Sequence, residues 1–464
     1  MTQNAVKTDN DRLTGSVIVV ALVSAISGLL YGYDTGIISG ALLQIGDDFD
    51  IGHLWEQAIT ASILVGAVIG ALTCSRLAER RGRHGTLLLI GIIFVVGALA
   101  ASLSPEPISL SISRLILGFA VGGATQTAPV YVAELAPSAY RGRLVLFFQI
   151  AIGVGIVIAT IVGAAEVIDW RVSIGMAAIP AGLMFLLMLR LPESPRWLAR
   201  EGQDDKAREA LGRVRHPDAD LSAEFGEIQD NVKAEREAST RGWAGLKAAW
   251  VRPALVVGCG LAIFTQLSGI EMIVYYTPTI LTDNGFSDST ALRVSVALGL
   301  TYLIAQLIGL AIIDRVGRRR LTLLTLPFAA LALIVLGWFF VSGNDGKSMV
   351  PWIVATLIAF MAFTAGGIQL MGWLTGSEIY PLATRAAGAA AQSASLWGTN
   401  VIITLTLLSI MNAIGTGQTF WLYALFNVIA FVFLYLKMPE LTGQSLEQIE
   451  EHLANRKFTP ADFR

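Results

Sequence analysis

Charged side chains are scarce in this sequence of 464 residues: they make up 15% of it, whereas hydrophobic residues make up 54%. An average soluble protein carries about 25% charged residues, so this deficit excludes an ordinary soluble globular enzyme. The formal net charge is −2, and no overall basic field exists that would attract nucleic acid. The composition therefore predicts the lipid bilayer as a partner and no nucleic-acid partner.

Cysteine and histidine are also rare. Cys74 and Cys259 both lie in apolar stretches, which favours small buried side chains over a disulfide. The four histidines lack metal-ligand spacing, so we predict no metal site and no cofactor. Gly346-Lys347-Ser348 ends like a phosphate-binding loop, but Val341 replaces the first glycine, and we interpret it as a turn. Nothing in the sequence supports covalent catalysis or direct ATP coupling, which predicts that the protein is not an enzyme.

Long apolar stretches are what the sequence has in abundance. A helix of about 20 apolar residues crosses the hydrocarbon core of a bilayer. Such stretches, numbered here as spans 1 to 12 in chain order, predict an all-α multi-pass membrane protein. They lie near 16–42, 54–75, 86–104, 108–132, 144–166, 171–190, 253–282, 290–313, 320–342, 350–376, 386–411 and 418–437.

Several charged fragments occur twice, roughly half the chain apart. The pattern Glu-x-x-Pro-x-x-x-Arg stands at 134–141 and again at 378–385. Arg80–Arg83 returns as Arg315–Arg318, and Pro192-Glu193 returns as Pro439-Glu440. Parallel duplicated halves are a known transporter plan, with the substrate site where they meet. We predict an N-terminal six-helix bundle (1–190), a helical linker (191–252), a C-terminal six-helix bundle (253–437) and a tail (438–464).

The positions of the basic loops predict the orientation in the membrane. Lys and Arg concentrate between spans 2 and 3, 4 and 5, and 8 and 9, whereas alternate loops such as 43–53 lean acidic. Because basic loops stay in the cytoplasm, we expect both termini and the linker to be cytoplasmic, in a cell membrane that is a bacterial inner membrane. The linker shows helical periodicity near 203–214 and 220–238, and an amphipathic stretch at 445–456 ends the chain.

Three ionisable residues lie inside predicted spans, where a charge costs at least about 2.5–3.5 kcal/mol and marks a functional pathway. They are Asp34 in span 1, Arg114 in span 4 and Glu271 in span 7. A carboxyl in a low dielectric tends to bind a proton, and a nearby guanidinium opposes that tendency. If Asp34 and Arg114 approach in one conformation and separate in another, proton affinity follows conformation. A permanent structural ion pair is the alternative.

Glu271 has no evident cation in its own stretch. Three functional states are possible for it: a protonated acid that donates a hydrogen bond, a carboxylate that faces water in a cavity, or a carboxylate that binds a cation on the ligand. The structural alternative is a side chain near the end of the span that reaches outward to the membrane surface. Polar and aromatic residues also cluster in spans 5, 7, 10 and 11, where they suit a polyhydroxylated ligand. Each is equally suited to a helix–helix hydrogen bond. They are Gln149, Gln266, Tyr275, Tyr276, Gln369, Trp373, Trp397 and Asn400.

The sequence resembles the sugar porter family of the major facilitator superfamily over nearly its whole length. The motifs that carry the resemblance are GYDTGIISGAL at 32–42, PVYVAELAPSAYRG at 129–142, PESPRWL at 192–198, the repeated Arg-rich loops and the Pro-Glu after span 12. The resemblance implies the major facilitator fold, with twelve transmembrane helices in two six-helix halves and a cytoplasmic helical linker. It also implies transport of a small-molecule substrate together with a proton.

The resemblance assigns roles to individual residues. It implies that Asp34 is the proton-coupling acid with Arg114 as its partner. It places Gln149, Gln266, Trp373 and Trp397 in the sugar pocket, with Thr265 and Glu271 at positions where the family binds sugar. The cluster of polar and aromatic residues described above adds Tyr275, Gln369 and Asn400 as further substrate-site candidates. The resemblance also implies a cytoplasmic gate that closes when the central cavity faces outward. The gate residues are Arg80, Glu134, Arg141, Glu193, Arg315, Glu378, Arg385 and Glu440.

The family pattern Gln-Gln-x-x-Gly-x-Asn in span 7 departs at two positions, since Thr265 replaces a glutamine and Glu271 replaces the asparagine. The substrate class therefore stays open between hexose, pentose, cyclitol or other polyol, amino sugar and non-sugar solute. We expect proton-coupled uptake of a sugar or sugar-like polyol by alternating access, in a protein that functions as a monomer. The alternatives are symport of an amino-bearing or non-sugar solute, a proton-antiport exporter, and a sensor that binds without transport.

Overall fold

The computed structural model describes residues 13–137, 140–165, 167–237, 242–342, 349–444, 446–455 and 457–463. The turn predicted at Gly346-Lys347-Ser348 lies outside these ranges. In the described part of the chain, regular structure is helical, and twelve helical segments are long and apolar enough to cross a membrane. The prediction of twelve spans is thereby confirmed.

Nine spans are single helices and three are interrupted. The single helices are Gly15–Phe49, His53–Arg81, Arg83–Ser102, Pro107–Leu135, Arg141–Gly163, Asp288–Val316, Arg318–Val341, Arg385–Ile414 and Thr416–Lys437. The interrupted spans are span 6 (Trp170–Gly175 and Ala178–Met188), span 7 (Arg252–Leu267 and Ile270–Asp283) and span 10 (Val350–Ala365 and Ile368–Glu378).

The break in span 7 positions a functional candidate. Gly269 has φ +96°, a left-handed backbone conformation that glycine adopts without steric cost. The chain leaves the first half-helix at Ser268 and begins the second at Ile270. Glu271 therefore lies in the first turn of a new half-helix at mid-span, where broken transporter helices place their binding groups.

The twelve spans pack as two bundles. In the N-terminal half, span 1 packs along span 5 and span 2 along span 4; in the C-terminal half, span 9 packs along span 12. Between the halves, span 2 contacts span 11, span 5 contacts span 8, and span 1 contacts span 7. The predicted site residues on spans 1, 7, 10 and 11 are consequently brought toward the interface between the halves.

The segment between spans 6 and 7 contains helices at Pro195–Arg200, Asp204–Val214, Leu221–Glu237 and Gly242–Gly245, and the tail contains Leu446–Ala454. The two predicted linker helices and the tail helix are thus present. Trp197 donates from Nε1 to the Glu79 carbonyl oxygen at 2.8 Å, which ties the linker to the end of span 2. Arg215, almost fully buried, donates to the Leu135 carbonyl oxygen at 2.7 Å and so holds the end of span 4.

Candidate functional site

Asp34 and Arg114 meet in the core of the N-terminal half. Asp34 Oδ2 lies 3.5 Å from Arg114 Nη2, and the two side chains are 10% and 0% exposed. Arg114 is anchored from the other side, since its Nε donates to the Ile59 carbonyl oxygen of span 2 at 3.0 Å. Neither Nη1 nor Nη2 has a hydrogen-bond partner among the described residues. The charges attract each other at contact distance while the guanidinium keeps unused donors.

A cavity of about 290 Å³ opens between the halves at the end of the molecule that carries the Arg-rich loops, called here the basic end. Gln126 of span 4 and Ser393 of span 11 face each other on its wall and are hydrogen-bonded across the two halves. Gln149 and Trp373 also line this cavity, together with the predicted gate residues Glu134 and Arg385. The cavity therefore joins the gate to the edge of the predicted substrate site.

Three aromatic rings from both halves form a triangle beside the cavity. The Tyr31 ring centroid lies 5.1 Å from Trp397 and 6.2 Å from Trp373, and the two tryptophans are 6.1 Å apart. All three contacts are edge-to-face, the arrangement that aromatic quadrupoles favour. Trp373 lines the cavity, whereas Tyr31 and Trp397 are buried. Tyr31 was not among the predicted site residues, although it stands one helical turn before Asp34.

Several buried polar groups of the predicted site residues have no hydrogen-bond partner in the described part of the chain. Leaving a buried donor or acceptor unpaired costs about 1–3 kcal/mol, so a group of them indicates a place for water or a polar ligand. Gln266 is fully buried with neither amide atom paired within the described residues. The other unpartnered atoms at predicted site residues are Gln149 Nε2, Glu271 Oε2, Gln369 Oε1, Trp397 Nε1 and Asn400 Nδ2.

Glu271 is 4% exposed and is surrounded by uncharged polar side chains. Tyr31 of span 1, Tyr275 of its own helix and Tyr302 of span 8 interact with it electrostatically. Gln369 of span 10 is a further polar neighbour. The structure therefore confirms burial at mid-span and contradicts a Glu271 side chain that reaches outward to the membrane surface.

The other two candidates of span 7, Thr265 and Tyr276, already donate their hydroxyl groups to backbone carbonyl oxygens. Thr265 is fully buried, and its hydroxyl donates to the Leu261 carbonyl oxygen at 2.8 Å. That bond uses the only donor of the Thr265 hydroxyl, so Thr265 cannot donate a hydrogen bond to a ligand in this conformation. Tyr276 donates to the Thr404 carbonyl oxygen of span 11 at 3.1 Å and is likewise occupied.

The gate glutamates pair inside their own halves. Arg83 Nη2 lies 2.9 Å from Glu134 Oε1, and Arg318 Nη2 lies 3.3 Å from Glu378 Oε1. Of the predicted gate arginines, Arg80 and Arg315 are exposed here. The ion pairs are made instead by Arg83 and Arg318, which close the two repeated fragments. The sequence could have indicated Arg83 and Arg318, because they occupy the same position in the two copies of the repeated fragment.

Glu193 and Glu440 cap helices. Glu193 Oε1 accepts from the backbone N–H groups of Arg83 at 2.9 Å and His84 at 3.1 Å, at the start of span 3. Glu440 Oε1 accepts from the backbone N–H of Arg318 at 2.9 Å, at the start of span 9. A carboxylate there satisfies free N–H groups and complements the helix dipole. Both glutamates, predicted as gate residues, thus hold the starts of the helices that begin with Arg83 and Arg318.

The last two gate candidates lie at the basic end. Arg385 begins span 11, and its Nε donates to the Tyr380 carbonyl oxygen at 3.2 Å. Arg141 begins the helix of span 5, outside the apolar membrane segment. Burial lowers the pKa of Arg141, and the like charges of Arg215 and Arg196 lower it further. Arg141 therefore lies among charges of both signs, since the carboxylates of Glu224 and Glu134 raise its pKa.

The opposite end of the molecule is held together across the halves. Gln57 of span 2, 1% exposed, donates from Nε2 to Ser409 Oγ of span 11 at 3.1 Å. His53 lies between two carboxylates, with Nδ1 2.9 Å from Glu56 and Nε2 3.5 Å from Asp283 at the end of span 7. These contacts close the cleft at the end where the cavity does not open.

Comparison with known proteins places the chain in a family. The model of the family "Sugar (and other) transporter" matches residues 20–453. The D-xylose transporter of Levilactobacillus brevis is 38% identical over 94% of this chain and 95% of its own length. The major myo-inositol transporter IolT of Bacillus subtilis is 34% identical over 93% of each chain. The human proton myo-inositol cotransporter is 32% identical over 97% of this chain and 84% of its own length.

Solved structures agree with this placement. The xylose transporter XylE from E. coli, in a partially occluded inward open conformation, superposes with a TM-score of 0.80 at 26% identity, over 93% of this chain and 100% of that chain. The proton:xylose symporter XylE bound to 6-bromo-6-deoxy-D-glucose gives a TM-score of 0.78 over 95% and 99%. These relatives are membrane transporters rather than enzymes. With twelve helices in two six-helix halves and matches that span nearly its whole length, this chain belongs to the sugar porter family of the major facilitator superfamily.

Proposed function

We propose that the protein is a proton-coupled symporter that takes up a sugar or sugar-like polyol by alternating access. The observation that carries the proposal is the buried contact between Asp34 and Arg114 at 3.5 Å, beside a cluster of unpartnered polar groups at the interface of the halves. A titratable acid in the core of one half and a polar ligand site shared by both halves are the two parts that coupling requires.

The orientation follows from the charge distribution. Because basic loops stay in the cytoplasm, the basic end faces the cytoplasm, together with both termini and the helices between spans 6 and 7. The cavity then opens to the cytoplasm, so this conformation is inward-facing. The protein functions as a monomer in a bacterial inner membrane, with bundles at 1–190 and 253–437, a linker at 191–252 and a tail at 438–464.

The proton acts through the attraction between Asp34 and Arg114. Protonation of Asp34 removes the negative charge that holds the guanidinium near it, and deprotonation restores it. Arg114 is fixed to span 2 through Ile59, so a change at Asp34 shifts span 1 relative to spans 2 and 4. Span 1 also carries Tyr31, which contacts Trp373 and Trp397 of the other half. Proton binding is thereby connected to the substrate site.

The gate residues act in alternation. In this conformation, Arg83 holds Glu134 and Arg318 holds Glu378, each within its half. When the cavity closes toward the cytoplasm, Arg141, Arg385, Arg80 and Arg315 approach the glutamates of the opposite half, while Glu193 and Glu440 keep the helix starts in place. At the other end, the contact of Gln57 with Ser409 breaks to admit substrate.

Purified protein in liposomes tests the proposal. An inwardly directed proton gradient should drive accumulation of D-xylose or myo-inositol, the solutes named for two relatives. Accumulation should collapse when a protonophore is added, whereas exchange of labelled for unlabelled substrate should continue. Accumulation that ignores the proton gradient would contradict symport, and efflux driven by that gradient would favour an antiport exporter.

A further inference from the structure

Glu271 is a second buried acid, and its environment differs from that of Asp34. Asp34 faces the fixed guanidinium of Arg114. The described groups around Glu271 are the phenols of Tyr31, Tyr275 and Tyr302 from spans 1, 7 and 8, and the amide of Gln369 from span 10. The Tyr423 ring of span 12 packs against the break at Gly269. None of these neighbours carries a positive charge.

A carboxylate without a counter-charge is expensive to bury, because desolvation is not repaid by an ion pair. A buried acid in such a place either binds a proton or requires a cation from the ligand. The tyrosines cannot supply that cation, and Oε2 has no hydrogen-bond partner in the described part of the chain. As a neutral acid, Glu271 presents one O–H donor and one carbonyl acceptor, the same pair of functions that a carboxamide offers to a sugar hydroxyl.

We propose that Glu271 holds a proton of its own when substrate is bound and donates it as a hydrogen bond to a substrate hydroxyl. The C-terminal half then has a protonation site separate from the one at Asp34. This inference rests on the proposed function, since it assigns the neutral polyol as the substrate class of that site.

The protonation state decides which ligands are accepted. A neutral acid donates its O–H to a hydroxyl oxygen, whereas an ammonium group has no acceptor for that O–H and meets only the carbonyl oxygen, without an attraction between opposite charges. A carboxylate has no donor to offer a hydroxyl oxygen, but it attracts the ammonium of an amino sugar. Neutral polyols should therefore bind better than their amino counterparts, and binding should weaken as pH rises through the titration of Glu271, by up to tenfold per pH unit.

Binding of D-xylose, D-glucose and D-glucosamine, followed by tryptophan fluorescence from pH 5.5 to pH 9, provides the test. The background is Asp34→Asn, which removes the first titrating group. We expect the single variant to lose affinity for the neutral sugars as pH rises, and Asp34→Asn/Glu271→Gln to show affinities constant within about twofold. A flat profile in the single variant, or tighter binding of D-glucosamine than of D-glucose at pH 5.5, where the glucosamine amine is charged, would overturn the proposal.

A measurement without substrate separates this proposal from the proposed function. Infrared difference spectra of Asp34→Asn across the same pH range should show the carbonyl band of a neutral carboxylic acid, which disappears in the double variant. If this band is present but none of the sugars binds, the assignment of a neutral polyol as substrate is wrong, whereas the assignment of a proton to Glu271 is supported. Absence of the band contradicts the proton on Glu271 whether or not sugars bind.

Discussion

Arg114 approaches Asp34 to 3.5 Å without hydrogen-bonding to it, while its Nε is held at 3.0 Å by the Ile59 carbonyl oxygen. A permanent structural ion pair in a dry core normally gains charge-assisted hydrogen bonds, since these offset the desolvation of both groups. The longer contact leaves the pair able to tighten or separate when the acid changes its charge. Of the two side chains, Arg114 is the one that is held by a neighbouring span, through the Ile59 carbonyl oxygen.

Replacing Asp34 by Asn should abolish proton-driven accumulation and leave exchange of substrate across the membrane. The amide cannot bind a proton, so the contact with Arg114 no longer changes with the gradient. Uptake and counterflow in proteoliposomes measure the two activities. Asp48→Asn is the control, because Asp48 lies at the end of the same helix in a half-exposed pair with Arg171 at 2.7 Å. Full accumulation by Asp34→Asn would exclude it as the coupling acid.

Replacing Gln57 by Ala should favour the conformation that is open at the end opposite the cavity. The substitution removes the hydrogen bonds to Ser409 that join spans 2 and 11. Labelling of Thr60→Cys by a membrane-impermeant thiol reagent, in protein whose own cysteines are replaced, should become several times faster, because Thr60 is fully buried beneath this contact.

Gln44→Ala provides the matched control for this labelling. Its amide donates to the Ile168 carbonyl oxygen at 3.2 Å within the N-terminal half, so its loss breaks no contact between the halves. Equal labelling rates for Gln57→Ala and Gln44→Ala would show that the Gln57 contact does not hold the cleft closed.

Replacing Gly82 by Ala should destabilise the protein by about 1–3 kcal/mol, the cost of a side chain in a backbone conformation reserved for glycine. Gly82 has φ +88°, and a Cβ there would collide with the Glu193 carboxylate that caps span 3. Thermal unfolding in detergent should show a lowered Tm. Gly85→Ala is the control, because a Cβ at Gly85 meets nothing within 4 Å. A similar Tm for both variants would contradict the cap.

Replacing Trp397 by Phe should weaken substrate binding roughly fivefold, since a hydrogen bond contributes about 1 kcal/mol. Phenylalanine keeps an aromatic face toward Tyr31 but lacks the indole N–H, which is buried and unpartnered among the described residues. Titration of D-xylose binding by calorimetry measures the effect. Trp421→Phe is the control, because its N–H already donates to the Ile334 carbonyl oxygen at 3.0 Å. Unchanged affinity in Trp397→Phe would show that the indole N–H of Trp397 does not bind the substrate.

The repeat in the sequence predicted the duplicated architecture but not which arginine of each repeated fragment pairs with a glutamate in this conformation. Arg80 and Arg315 open the repeated fragments, whereas the ion pairs belong to Arg83 and Arg318, which close them. The difference arises because each loop turns at a glycine with positive φ, and the residue after that turn begins the next helix. The helix start then directs the last arginine, rather than the first, toward the neighbouring span.

The part of the candidate site that could be predicted from the sequence consists of residues whose type is unusual in a transmembrane span. Asp34, Arg114 and Glu271 were conspicuous as charges inside apolar spans, and burial in the structure bears this out. Tyr31 was not conspicuous, since an aromatic residue in an apolar helix is ordinary. Its contact with Trp373 and Trp397 depends on how spans 1, 10 and 11 meet, which no local pattern encodes.

The sequence by itself determined that this chain crosses a membrane twelve times in two related halves. The length of each apolar stretch and the repeated charged fragments are visible in the sequence, and a bilayer accepts an apolar helix of that length whatever its neighbours are. Only the tertiary structure decided which charges face each other. It paired Arg114 with Asp34 at contact distance and placed Glu193 and Glu440 at helix starts. It also surrounded Glu271 with tyrosines and placed no cation among the described neighbours of that side chain. The physical reason is that the protonation and pairing of a buried group depend on neighbours brought from distant spans, whose positions follow from packing.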